Sequence, residues 1–300
     1  MSKESQHRFS AKKFRVAEGE KVKLNKFDTD SGKDLTDKNV ALDVTQEDVS
    51  FLQEAQQKLF AAGSHSVLII LQGMDAAGKD GIIRHVMNGV NPQGCRVHSF
   101  KAPNSEELQH HFLWRPMRYL PERGMISIFN RSYYEEVLVV RVHPDFLKPQ
   151  KLPKLKDLDS LWEQRFEEIK QFEKTLVRSG VQIIKFFLHV SKKEQGKRLL
   201  ERLEDPAKHW KFNEGDLVER NLWDDYQDAY ESMLASTSTK KAPWYIVPAD
   251  DKWYARAVVA DIIAQHVDEL KLEYPTVTPE TKSRFGQLAQ QLREEVQASE

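Results

Sequence analysis

Gly73-Met-Asp-Ala-Ala-Gly-Lys79-Asp80 has the residue types and spacing of a loop that cradles phosphate. Glycines let backbone N–H groups point at phosphate oxygens, a following helix N-terminus adds positive potential, and Lys79 supplies a mobile positive charge. A Gly-rich strand-to-helix turn without a ligand is the bland alternative. The flanks argue against it: the apolar run 66–71 reads as a buried strand, and 81–87 reads as a helix start. Gly73, Ala76, Ala77, Gly78, Lys79, Asp80 and Gly81 are therefore the expected phosphate-binding residues. Position 80 is Asp where the usual pattern has a magnesium-holding Ser or Thr, and Asp75 puts a second carboxylate beside the phosphates. Two acids against a polyanion repel severely unless a divalent metal lies between them, so the loop itself calls for magnesium.

A second constellation is Phe129-Asn-Arg-Ser-Tyr-Tyr-Glu-Glu136, at the end of the short apolar run 125–129. In open parallel sheets, ligands gather at the carboxyl ends of strands. Asn130 stands where a P-loop enzyme commonly places a magnesium-holding acid, so Glu135 or Glu136 is the candidate substitute. Arg131 is a fork-shaped donor suited to phosphate, although with Glu135 it also matches an ordinary i,i+4 surface pair. The third constellation spans 196–211. Arg198 and Arg202 lie four apart on one helical face, Pro206 ends that helix, and Lys208 and Lys211 occupy a connection suited to a mobile lid. A solvated charged face is the alternative, but Lys192 and Lys193 add to a local positive excess that a polyphosphate would use. Lys101, after the second strand, and Arg115 are candidate nucleotide contacts along with Asn130 and Arg131. The adjacent His110 and His111 cannot share a metal on a helix, and the six Trp read as packing.

The elements that must position these groups alternate: strands at 66–72, 96–100, 125–129, 181–190 and 244–247, separated by helices. That order predicts an α/β fold with a parallel sheet covered on both faces. Thr45 and Asp48 suggest a capped helix start running to about 61, and 105–120 reads as largely helical. Helices are also expected at 158–179, 192–204, 216–235 and 252–270. Leu161, Phe166, Ile169, Phe172 and Leu176 form a core stripe in the first of these, and its apolar surplus suggests self-association. Residues 1–45 read as a polar, basic arm that lies over the domain or is partly disordered, 46–272 as the phosphotransferase domain with a lid near 192–215, and 273–300 as a strap or short helix. A connection rich in Pro and Lys covers 148–156. Forty-five basic against 46 acidic residues leave no global bias toward nucleic acid or membrane. A lone Cys95 and the lack of an apolar leader fit a soluble protein of a reducing cytoplasm.

Four stretches in order, GMDAAGKDG (73–81), IFNRSYYEEVLVVRVHP (128–144), RLEDPAKHWKF (202–212) and APWYIVPADDKWYAR (242–256), resemble the second polyphosphate kinase family over about residues 45–272. The resemblance implies a three-layer, thymidylate-kinase-like P-loop fold with a helical lid. It also implies magnesium-dependent, reversible phosphoryl transfer between inorganic polyphosphate and nucleoside phosphates. Carried over by position, Asp75 and Lys79 match the loop acid and lysine, Arg131 matches the arginine after the strand end, and Arg198, Arg202, Lys208 and Lys211 fall in the lid. Asn130 with its following acidic pair is similar to the subgroup that accepts AMP as well as ADP. The expected mechanism is direct in-line transfer. Lys79, Arg131, Arg198 and Arg202 would stabilise the transferred group, and Asp75 and Glu136 would hold magnesium. An ATP-dependent nucleoside monophosphate kinase and a non-enzymatic nucleotide-binding module are the rivals.

Overall fold

A computed structural model describes residues 8–32, 37–153 and 156–299. The expected arm 1–45 and connection 148–156 thus lie partly outside the described residues. In chain order the elements are α1 (Ala11–Phe14), α2 (Lys38–Ala62), β1 (Ser66–Gln72), α3 (Lys79–Val86), β2 (Cys95–Ser99), α4 (Trp114–Met117), β3 (Ile126–Asn130) and α5 (Val139–Val142). There follow α6 (Leu158–Arg178), β4 (Val181–His189), α7 (Lys192–Glu204), α8 (Gly215–Asn221), α9 (Trp223–Thr237), β5 (Trp244–Pro248), α10 (Lys252–Asp268) and α11 (Pro279–Ala298).

Apolar runs with every residue buried, as in β1, make strands covered on both faces. With β3, β4 and β5, buried nearly throughout, and the polar, largely exposed edge strand β2, β1 forms one parallel sheet in the order β2-β3-β1-β4-β5. Strand alternation shows where the helices lie. Gln182 of β4 reaches His266 of α10, whereas Lys185, three residues on, reaches Glu173 of α6. Side chains three apart on a strand point to opposite faces, so α10 and α6 cover opposite sides of the sheet. Register aligns the carboxyl ends: Asn130 pairs with Leu71 on one side and Ser99 on the other, which sets the loop after β1 beside residues 130–136.

A fully buried Lys185 fixes that junction from below. Its ammonium donates to Glu173 Oε2 (2.6 Å), Tyr134 Oη (2.9 Å) and the Thr237 carbonyl (2.9 Å). The Tyr133 and Tyr134 hydroxyls donate to Glu173 Oε1 at 2.8 and 2.7 Å. Such a cation is tolerable only because every donor has a partner.

Several expected boundaries move. The long helix α2 begins at Lys38, capped by Asp37, which accepts from the Asn39 amide. Thr45 lies inside it, donating to the Ala41 carbonyl at 2.7 Å. A threonine hydroxyl serves either purpose, so the capping pattern misled. Residues 105–120 hold only a 3-10 turn (Glu107–Gln109) and the single turn α4. Their geometry is set by stacking: His110 on Trp114, Arg118 over Trp114 and Arg115 over Phe100. The helix expected at 216–235 breaks at Leu222 into α8 and α9. The tail forms the 20-residue α11, not a short helix. The described part of the arm lies on the domain. Phe14, Val16, Val22 and Leu24 are buried, and Val16 donates its amide to the Trp244 carbonyl. Among the described residues no helix is long and apolar enough to cross a membrane.

Candidate active site

The loop after β1 depends on backbone conformations that Gly supplies. At Gly73 (φ 150°) a Cβ would stand 2.9 Å from the Leu188 carbonyl oxygen of β4, and Gly78 sits at φ 109°. Helix α7 holds the loop from one side. Gln195 Nε2 donates to the Asp75 carbonyl (3.1 Å), and Arg198 Nη1 donates to those of Ala76 (3.0 Å) and Ala77 (3.1 Å). In a trans peptide the N–H points opposite the C=O, so the Ala76 and Gly78 amides face away from the α7 donors. This is the geometry an anion needs.

Lys79, buried, donates to the Gly73 (2.6 Å) and Met74 (3.2 Å) carbonyls. Burial first, and then Arg131 close by, push its ammonium down to about 8 against the pull of Asp75, Glu135 and Asp80. Arg131 takes a left-handed conformation (φ 62°) directly after β3, which swings it under the loop to pair with Asp75 and, at 3.2 Å, with Glu135. Burial opposes ionisation of Asp75, but Lys79, Arg131 and Arg202 outweigh it and hold the carboxyl below its ordinary range.

Other sequence expectations are redistributed. Arg198 is not a lid cation. Its Nε bonds Glu194 (3.0 Å), Nη1 takes the two loop carbonyls, and Nη2 takes the carbonyls of Ala249 (2.6 Å) and Asp250 (2.7 Å). With all five donors engaged and 5% of the residue exposed, it is a strut beneath the loop. Asn130 donates to Asp80 Oδ1 (2.7 Å) and so braces the loop instead of lining the neighbouring cavity. Glu136 is not brought to Asp75. It accepts from Gln150 Nε2 (3.1 and 3.2 Å) and lies 3.3 Å from Arg165 Nε, while burial raises its affinity for a proton. The acid that shares Arg131 with Asp75 is Glu135.

Arg202 stands close enough to Asp75 to lower its pKa, and donates to Asp216 Oδ2 at 2.8 Å. Lys208, on the 3-10 turn Pro206–Lys211, is held by Glu201 (2.5 Å) and Asp205 (2.8 Å), and Lys211 lies over the Trp210 ring. Asp216 and Gln195 were missed, because neither belongs to a spacing pattern. Burial and the nearby Asp75 raise the Asp216 pKa despite Arg202, Arg131 and Lys79. Asp75 and Asp216 thus repel one another at the loop mouth. That donor set suits a hard cation held by one or two carboxylates together with substrate phosphates. Among the described residues no group of three or more His, Cys, Asp or Glu forms a self-sufficient metal cage.

Beside the loop opens a cavity of about 750 Å³, with Lys101, Arg115, Phe100, Phe112 and Arg131 among its walls, and Asn213 from the lid connection. Arg115 is oriented by Glu107 (3.2 Å) and the Phe100 ring. Of the expected nucleotide contacts, Lys101, Arg115 and Arg131 therefore share one cavity. Apolar walls with a few placed cations suit a base and its phosphates.

A parallel sheet, a phosphate loop at its carboxyl edge and a basic lid connection define a P-loop phosphotransferase. The sequence profile described as Polyphosphate kinase 2 (PPK2) matches residues 35–275, and the chain belongs to that family of kinases. It is 51% identical over 286 residues to an ADP-polyphosphate phosphotransferase of Rhodopseudomonas palustris, covering 95% of this chain and 99% of the relative. It is 45% identical over 273 residues to an AMP/ADP-polyphosphate phosphotransferase of Meiothermus ruber, covering 91% and 97%. A crystal structure of polyphosphate kinase 2 from Arthrobacter aurescens superposes with a TM-score of 0.86 at 38% identity, covering 95% of this chain and 98% of that one.

Proposed function

We infer that this chain transfers phosphoryl groups between inorganic polyphosphate and AMP or ADP, reversibly and by direct in-line displacement. The observation that carries this reading is Arg131. It lines the 750 Å³ cavity and also pairs with Asp75 of the phosphate loop, so an acceptor in the cavity would present its phosphate to the loop. The names of relatives that match nearly end to end supply the donor and acceptors.

The acceptor phosphate is already an anionic nucleophile at neutral pH, so no protein base is needed and catalysis rests on positioning and charge. Lys79 would exchange the carbonyls of Gly73 and Met74 for phosphate oxygens, and Arg131 and Arg202 would neutralise the transferred group. Arg198 positions the loop and touches no phosphate. Asp75, with Asp216 beside it, would hold magnesium, which when bound neutralises phosphate charge. Lys208 and Lys211 would serve polyphosphate from the lid, Lys208 by leaving Glu201 and Asp205. We also propose that the chain self-associates, through α11 and not through α6.

Incubating the protein with AMP, magnesium and long-chain polyphosphate, without ATP, should yield ADP and then ATP by chromatography. Product only when ATP replaces polyphosphate would make it a nucleoside monophosphate kinase. If AMP is inert, ADP is offered before the donor is rejected, and binding without turnover of either nucleotide would leave a binding module.

A further inference from the structure

A second hollow, of about 620 Å³, lies at the other end of the sheet, at the amino-terminal ends of β4 and β5. Two segments face each other across it. The arm supplies Lys12 and Arg15, and the turn before β5 supplies Lys240 and Lys241. Against these four formal charges the lining holds, among the described residues, one carboxylate, Glu269. In a chain with 45 basic and 46 acidic residues, such a concentration is local and not a reflection of composition. Arg15 is fixed at the rim, donating to the Lys240 carbonyl at 3.0 Å, while its backbone bridges to Tyr245.

The floor is polar and consistently protonated. Gln182 Nε2 donates to His266 Nδ1 (2.8 Å), so the ring proton belongs on Nε2, where it meets the Tyr245 oxygen at 2.7 Å. That leaves the Tyr245 hydroxyl proton to be donated elsewhere. Burial first, then Arg15, push His266 down to about 4, and burial pushes Tyr245 up to about 12, so both stay neutral and act as hydrogen-bonding groups.

We propose that this hollow is a second, non-catalytic docking site for a strand of inorganic polyphosphate. The proposal rests on the polyphosphate reading of the active site. A nucleotide fits less well than a bare polyanion, because the tyrosine ring in the lining is buried and only the half-buried imidazoles of His65 and His266 are left to meet a base. Two facing pairs of cations instead match a linear anion that repeats its charge. The nine residues of β4 separate the hollow from the phosphate loop by roughly 25 Å, so one phosphate or a short chain cannot occupy both places. A long chain can run between them, and tethering at a second point raises its effective concentration at the first.

The test is the double variant Lys240→Glu/Lys241→Glu. Both side chains are exposed and outside the catalytic machinery, and only backbone atoms of Lys240 make the local hydrogen bonds. The KM for long-chain polyphosphate should rise about tenfold, with kcat and the KM for tripolyphosphate unchanged and a Lys174→Glu control silent. Equal shifts for long and short donors, or none, would overturn the proposal. Binding of labelled long-chain polyphosphate without nucleotide separates the two ideas. Binding weakened by the double variant in a protein that turns over no polyphosphate would keep the docking site and sink the donor assignment. Polyphosphate turnover without any length-dependent effect would do the reverse. Single-stranded RNA binding here more tightly than polyphosphate would also reject the assignment.

Discussion

Lys79 and Arg198 are buried cations hydrogen-bonded to the same loop, yet their partners give them different work. Lys79 holds two carbonyls of its own loop, bonds that a phosphate replaces in kind. Arg198 joins carbonyls at 76 and 77 to those at 249 and 250, and no ligand substitutes for that bridge. Lys79→Ala should therefore lower kcat by about a hundredfold or more with the melting temperature little changed. Arg198→Ala should lose activity and also stability, by about 3 kcal/mol, since it leaves several buried carbonyls unpaired. Parallel activity and thermal-melting measurements decide it, and an Arg198→Ala protein of normal stability would return Arg198 to the lid. The loop residues were legible because their flanks constrained them. Arg198 was not, because an arginine four residues before another looks the same whether it faces solvent or braces a loop. Asp216 carries no motif and enters the site only when the chain folds back after Pro206.

The four strands from β3 to β5 in sheet order were readable as apolar runs, since a doubly covered parallel sheet demands them, whereas the exposed edge strand β2 is polar. The helices erred wherever local chemistry had two outcomes. Thr45 could cap or back-bond, and the aromatics of 105–120 could follow helical spacing or stack. The packing of α2 on α10 carries a consequence of its own. Asp48 of α2 is buried facing Asp261 of α10, and its Oδ2 has no hydrogen-bond partner among the described residues. Burial first, then the charges of Asp261 and Glu47, push its carboxyl up to about 8. The unfolded chain releases this proton near pH 4 and the folded chain near pH 8. Between those values the folded state binds more protons, so this group makes stability fall as pH rises. Asp48→Asn removes that slope. Its gain in melting temperature should grow by roughly 2–6 °C from pH 5 to pH 8. A gain constant across that range, or one that shrinks, would show that Asp48 is ionised in the fold.

At the scale of the whole molecule, α6 and α11 exchange the parts the sequence suggested. The stripe of α6 is largely spent inside the molecule, with Leu161, Phe166, Ile169 and Leu176 buried and Phe172 half-buried. Helix α11 has no buried residue in any of its 20 positions, and Phe285, Leu288, Leu292 and Val296 stand 43–62% exposed at spacings of three and four along one face. A lone helix of this length is marginal in water, and its stripe calls for a partner. Charge indicates which. Lys282 and Arg284 outweigh Glu280 in the first half of α11, and Glu294 and Glu295 outweigh Arg293 in the second. Antiparallel pairing with α11 of a second copy therefore sets opposite charges together while burying both stripes. Light scattering should find a dimer or larger assembly whose mass falls on Leu288→Asp/Leu292→Asp substitution. Turnover per chain should be unchanged at saturating substrate, since α11 contributes nothing to either cavity. A wild-type monomer, or a variant that keeps its mass, would remove α11 as the interface. A loss of activity alongside the loss of mass would mean instead that the partner copy completes the site.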